Sequence, residues 1–185
     1  MAVRITYFVH GTTTDNEQHR TTGWNSGELS ELGIKQAKEL SNQIGDVQFD
    51  AVFSSDLKRA MDSAELGFGD KYEIIRDERL RECNYGDLNG ADESVRGPIE
   101  QYIDTPYPNG ESYRDVEQRI RMLLKDLQRN YAGKHVAFMS HHAPQLALEV
   151  LLNGKTWQEA IASDWRHDKR WQSGWEYSIP DEWTD

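Results

Sequence analysis

The chain has a single cysteine, Cys83. One thiol can form no internal disulfide and no multi-cysteine zinc site, an inventory that suits a reducing cytosol. Long hydrophobic runs are missing as well, and none approaches the roughly 20 residues that span a bilayer. The opening residues lead straight into an apolar stretch too short for a signal peptide, so the expected location is cytoplasmic. Basic residues are in the minority: 21 Lys and Arg against 32 Asp and Glu leave a formal net charge of −11. Nucleic acid and anionic membrane both select a basic face, so neither is the expected partner. An anionic small molecule stays possible, provided that arginine and histidine line its pocket locally. There is no internal repeat, no low-complexity tract and no Pro/Gly/Ser linker. Residues 1–185 therefore read as one domain around one core, as a monomer or a homodimer.

What is present alternates between β-rich runs and amphipathic stretches. Val3 to Val9 is β-branched and aromatic and reads as a strand. Ser30 is an N-cap for a helix through about Ile44, with Ala37, Leu40 and Ile44 on one face. Asp50 to Ser54 reads as a short buried strand, followed by a helix from about Asp56 to Leu66. Tyr72 to Arg76 is a weaker strand. Residues 84–111, rich in Gly and Pro, read as an irregular excursion with one helix near Ile99. Ser112 caps a helix whose stripe is Val116, Ile120, Leu123, Leu127 and Tyr131. His135 to Met139 is another strand, and a helix through Leu146 to Leu152 follows it. Thr156 to Glu159 has the capping-box pattern. The tryptophan-rich tail, through Trp171, Trp175 and Tyr177, supplies an edge strand and packing. Such alternation predicts a three-layer α/β/α fold, with a mostly parallel central sheet and helices on both faces.

In sheets of that kind the ligand site lies beyond the carboxyl ends of the strands. His10-Gly11 follows the first strand, Ser54-Ser55-Asp56 the second, and Ser140-His141-His142 the fourth. Arg59 lies one turn into the helix after Ser55, and Glu82 follows the third strand. A strand end running into a helix N-terminus suits a phosphate, because free backbone N–H groups and the helix dipole both favour an anion. Taken singly, Arg59 reads as a solvated helix residue and Glu82 as a surface carboxylate.

The set Val9-His10-Gly11-Thr12-Thr13, Ser54-Ser55-Asp56-Leu57-Lys58-Arg59-Ala60, Leu80-Arg81-Glu82, Asn109-Gly110-Glu111-Ser112 and Ser140-His141 resembles the histidine phosphatase superfamily, in the branch that includes phosphoglycerate mutases. Asn16, the stretch from Arg20 to Trp24, and Leu29-Ser30-Glu31-Leu32-Gly33 add to the match, which runs from residue 3 to about 150. The resemblance implies a phosphoglycerate mutase-like fold and a small phosphorylated substrate. It assigns His10 as the nucleophile that accepts the phosphoryl group, and Arg59 and His141 as ligands of the phosphate. It makes Glu82 the proton donor to the leaving oxygen, for which a raised pKa is expected. Asn16, Gly11, Thr13 and His142 are placed around the phosphate, Arg20 near the substrate, and Glu111 and Ser112 in the pocket wall. Phosphoryl transfer by such groups is chiefly the placement of positive donors, and it calls for no metal and no cofactor.

One departure stands out. The family's first motif is Arg-His-Gly, and this chain has Val9-His10-Gly11. The expectation is that another cation, His142 or Arg20, takes over the clamp, or that catalysis is weakened. Because the segment between Glu82 and Gly110 is short, a phosphatase is expected rather than a mutase. The contrasting expectation is a phospho-ligand or protein-binding module that has lost its chemistry.

Overall fold

A computed structural model describes residues 1–167 and 174–184. Five strands form its one sheet: β1 (Val3–Val9), β2 (Ala51–Ser54), β3 (Ile74–Arg76), β4 (His135–Ser140) and β5 (Trp175–Ile179), in the order β3-β2-β4-β1-β5. β1, β2, β3 and β4 run parallel, and β5 pairs antiparallel with β1 at the edge. Every residue of β4 is buried, as expected for a strand covered on both faces.

The helices divide between the two faces. α2 (Glu31–Ile44) and α3 (Lys58–Phe68) bring Leu40, Ala60, Ala64 and Phe68 onto Phe8, Val52 and Met139. α5 (Tyr113–Asn130), α6 (His142–Asn153) and α7 (Trp157–Ala162) cover the opposite face, where Ile120, Leu123, Leu148 and Trp157 pack against Ile5, Val136 and Phe138. Each buried side chain of that size contributes about 1.5–3 kcal/mol, so the α5 stripe alone commits that helix to the sheet. Ser30, Ser112 and Thr156 cap α2, α5 and α7 through their hydroxyls, and the last two complete capping boxes.

Some expectations shift. α3 begins at Lys58 rather than Asp56, because the Ser55 hydroxyl accepts from Leu57 N (3.2 Å) and Asp56 turns out to meet Arg81. β3 begins at Ile74, since Tyr72 is drawn back onto Phe49, whose N–H donates to the Tyr72 hydroxyl at 3.2 Å. Tyr131 lies just past α5 and packs its ring on Phe53. Near Ile99 the helix is a 3₁₀ turn, Ile99–Tyr102. Two short helices were not anticipated: α1 (Thr14–Glu17), capped by Thr13, and α4 (Glu93–Arg96), capped by Asp92. The edge strand is present at Trp175 and Tyr177, while Trp171 lies outside the described residues. Among the described residues no helix is long and apolar enough to cross a membrane.

Candidate active site

Register brings three strand ends together. Val9 pairs with Ser140 and Ser54 with Met139, so His10, Ser55 and His141 leave the sheet side by side. His10 opens onto a cleft of about 460 Å³, a volume suited to a small molecule, while Ser55 and His141 are fully buried. Four arginines line it, Arg20, Arg59, Arg96 and Arg166, against two carboxylates, Glu82 and Glu93. An acidic protein thus carries a cationic cleft.

His10 is half-buried in that cleft. Its Nδ1 lies 2.8 Å from the Gly11 carbonyl oxygen, which can only accept, so Nδ1 carries the proton and Nε2 presents its lone pair. Arg59 Nε donates to that Nε2 at 3.3 Å. Desolvation, and then the Arg59 charge, push the His10 pKa down to about 3 from the ordinary 6.5, so the ring is neutral well below pH 7.

Arg59 is only 2% exposed. Its guanidinium donates to the carbonyl oxygens of Gly23 (2.8 Å) and Asn25 (3.1 Å), with no carboxylate in contact among the described residues. The loop that wraps it needs glycine at position 23, where φ is +55° and a Cβ would fall 1.8 Å from Asn89 Oδ1. Alone in sequence Arg59 reads as solvated; the fold buries it because it is the second residue of α3 and the loop through Gly23 and Asn25 closes over it.

His141 is fully buried, with its ring centroid 5.0 Å from that of His10. Its Nε2 meets the Ser55 hydroxyl at 2.9 Å, its backbone is held at both ends by the Tyr7 hydroxyl, and Nδ1 has no partner among the described residues. Burial, with Arg59 and His10 nearby, holds its pKa well below the ordinary value.

Glu82 is buried, not a surface carboxylate. Oε1 accepts from Cys83 N (2.8 Å) and Ala143 N (3.0 Å), and Oε2 from His142 N (3.1 Å), so two of its three donors are the first N–H groups of α6. The expected raised pKa is not found. Burial acts in that direction, but His142, the backbone donors and Arg59 outweigh it and hold the carboxyl below its usual range. Its backbone is fixed in turn by Arg119, which donates to the carbonyls of Arg79 (2.6 Å) and Glu82 (3.0 Å) and is paired with Glu111 at 3.0 Å. Glu111 thus acts behind the wall, and Ser112 caps α5. Arg81 reaches away to bind Asp56 with both arms and to lie over the Trp24 ring.

Of the remaining expected residues, Asn16, Arg20 and His142 line the cleft. Gly11 and Thr13 do not. The Thr13 hydroxyl is spent on the cap of α1, accepting from Asn16 N at 3.0 Å. Gly11 is packed on Gly33, where a Cβ would meet the Gly33 oxygen at 2.4 Å, and it reaches the site only through the carbonyl that orients His10. Val9 lines the cleft but offers no donor. His142 points its Nε2 at Asp164 Oδ2, 2.6 Å away, and burial followed by the Arg166 charge keeps it below its ordinary pKa.

Three arginines were not anticipated: Arg96, Arg119 and Arg166. The excursion at 84–111 hid the first, a helix face the second, and the aromatic tail the third. Capping by Asp92 is the one local signal that would have placed Arg96 at the end of a helical turn. Among the described residues no group of three or more His, Cys, Asp or Glu side chains is arranged to hold a metal ion.

An unprotonated imidazole, a buried guanidinium and a buried carboxylate stand together at strand ends of a mostly parallel sheet. Residues 7–165 match the histidine phosphatase superfamily (branch 1), and the chain belongs to that family. It is 34% identical over 173 residues to a 2,3-bisphosphoglycerate-dependent phosphoglycerate mutase of Methylorubrum extorquens (strain PA1), covering 83% of this chain and 80% of that one. The protein of the same description from Rhizobium meliloti (strain 1021) is 32% identical over 169 residues, covering 82% and 80%. Among solved structures, mycobacterial glucosyl-3-phosphoglycerate phosphatase superposes with a TM-score of 0.76 at 29% identity, covering 89% of this chain and 85% of that one. The phosphoglycerate mutase of Bacillus anthracis (str. Sterne), at 23% identity and a TM-score of 0.72 over 83% and 81% of the two chains, shares the fold.

Proposed function

We propose that the protein is a phosphatase that hydrolyses a small phosphomonoester through a phosphohistidine on His10. The observation that carries this reading is the pairing of an unprotonated His10 Nε2 with Arg59 Nε at 3.3 Å inside a cationic cleft. Nε2 attacks phosphorus, the P–O bond to the alcohol breaks, and the alkoxide takes a proton from Glu82. Water then attacks the phosphohistidine, releasing inorganic phosphate and returning a proton to Glu82. Arg59 and the Nδ1 of His141, which carries the proton when the Ser55 hydroxyl donates to Nε2, stabilise charge on the equatorial oxygens. Glu82 starts as a carboxylate, so its proton comes with the substrate: a phosphate placed beside it raises its pKa, and a monoanionic ester carries the proton in.

Hydrolysis is favoured over mutase action by the short Glu82–Gly110 segment, which holds only α4 and two 3₁₀ turns, little to screen a phosphohistidine from water. The curated relatives carry mutase names, so the test includes both reactions. Purified protein with EDTA present is assayed on a panel of phosphate esters, and on 3-phosphoglycerate with 2,3-bisphosphoglycerate, beside His10→Ala. Release of inorganic phosphate, at least about 10⁴-fold lower in His10→Ala and unaffected by chelator, is the expected outcome. Isomerisation of phosphoglycerate without net hydrolysis would make the mutase reading correct. An active His10→Ala, or a rate restored by divalent metal, would remove the phosphohistidine mechanism.

A further inference from the structure

Position 9 leaves a gap in the cation set, and the chain fills it from elsewhere. Two candidates suggested by sequence do not serve. His142 turns its Nε2 to Asp164 Oδ2, 2.6 Å away, and burial followed by the Arg166 charge holds its pKa below the ordinary value. Arg20 stands on the loop bridged to Asp92, in the wall it shares with Glu93 and Arg96 of α4.

Arg166 is placed differently. It lines the cleft together with Val9, His10 and His142. Trp165 beside it stacks on Trp175 with centroids 4.8 Å apart, and Trp175 pairs with Tyr7 in β1, two residues before Val9. The 164–166 turn is therefore tied to the end of the same strand. The guanidinium is built in by side chains: NH1 to Asp164 Oδ1 (3.0 Å), NH2 to Gln145 Oε1 (3.1 Å), and its plane 4.4 Å above Trp165. Gln145 also accepts from Trp165 Nε1 at 3.1 Å, so one amide of α6 orders both residues. Two of the five N–H donors of Arg166 are used in this way, and three remain among the described residues. Asp164 also faces His142, its Oδ2 lying 2.6 Å from His142 Nε2. The Arg166 charge also reaches into the site, since it is among the causes that lower the proton affinity of His10. Arg166 stands between the cleft and a second depression lined by Gln145 and Trp175.

We infer that Arg166 is the phosphate clamp that replaces the missing arginine of the first motif, reaching the phosphoryl group from the turn after α7 instead of from β1. This rests on the phosphohistidine reading. An arginine delivered this way binds the same oxygens but depends on Asp164, Gln145 and Trp165 for its aim.

The test compares Arg166→Ala, Val9→Arg and the double variant, using kcat/KM on p-nitrophenyl phosphate and competitive inhibition by inorganic phosphate. Arg166→Ala should lower kcat/KM and weaken phosphate inhibition, each by about 10- to 100-fold, the range for one charge-assisted hydrogen bond. Val9→Arg in that background should recover most of the loss, whereas Val9→Arg alone should gain less than threefold or fall. Recovery by a cation from a different element is something a merely structural role of Arg166 would not give. If Arg166→Ala does not fold, Arg166→Gln, which keeps an N–H for Asp164, carries the same expectations. Arg166→Ala within twofold of the parent in both measurements, or Val9→Arg raising activity equally with and without Arg166, would overturn the inference. An inactive His10→Ala beside an unaffected Arg166→Ala defeats this inference alone; an active His10→Ala defeats the reading beneath it.

Discussion

The two arginines that flank His10 are secured in opposite ways. Arg59 is buried and held by main-chain carbonyls of residues 23 and 25, with no carboxylate touching it among the described residues. Arg166 is half-buried and held by side chains, Asp164 and Gln145, on an indole. A cation fixed by the main chain is fixed by the fold itself, and its charge stands ready for an anion before one arrives. A cation fixed by side chains is adjustable, and its position is lost with any one of its neighbours. The first arrangement belongs to the architecture; the second belongs to this chain.

The largest test of that contrast is Arg59→Ala. Removing a preorganised donor to the transition state costs about 10²- to 10³-fold in kcat. Inorganic phosphate should raise the Tm of the parent protein and leave that of Arg59→Ala unchanged, because the binding energy that couples ligand to stability is gone. A phosphate-dependent Tm in Arg59→Ala would show that the buried guanidinium is structural.

A smaller effect is expected one step back from the cleft. Glu111→Gln weakens the pair with Arg119 that holds the Glu82 carbonyl, so Glu82 should lose its aim rather than its charge. A fall of about 10-fold in kcat is expected on alkyl phosphates, the magnitude of a misplaced acid. Little change is expected on p-nitrophenyl phosphate, whose leaving group needs no proton. Equal losses on both substrates would mean that Glu111 supports something other than proton transfer.

The smallest expected change is none. With its pKa lowered to about 3, His10 should remain unprotonated from pH 8 down to pH 5, and kcat/KM should show no acid limb near 6.5. Stability behaves otherwise. His10, His141, His142 and His135 all have folded-state pKa values below the unfolded value, so their contribution is complete above about pH 6.5. It is lost as pH falls and the unfolded chain takes up protons. Tm measured by circular dichroism should drop over the range in which kcat/KM holds, and an acid limb at 6.5 with constant Tm would contradict the assignment.

Much of this was legible in the chain. The strand runs, the three hydroxyl caps and the rule that ligands gather at strand ends placed His10, Arg59, Glu82, His141 and His142 in one region. What escaped has specific causes. Thr13 reads as a phosphate contact, yet its hydroxyl is more valuable as a cap, and no local pattern tells the two apart. Glu82 was expected to be a raised acid from its proton-donor role, and the N–H groups of α6, sixty residues downstream, were not anticipated. Arg166 follows a tryptophan in a turn with no periodicity, and only the pairing of β5 with β1 brings it to the nucleophile.

That pairing also sets an order in time. β1 lies between β4 and β5, so both of its neighbours are synthesised long after it: Val3 pairs with Ile179, and Arg4 with His135. On the ribosome β1 waits as an apolar strand with two open edges, the state most prone to wrong pairing. Such non-local pairing folds slowly, and the strand that carries His10 is secured on its second edge only when β5 arrives. His10 is made early and its strand is locked in late, so the cleft takes its final shape only when the chain has reached β5.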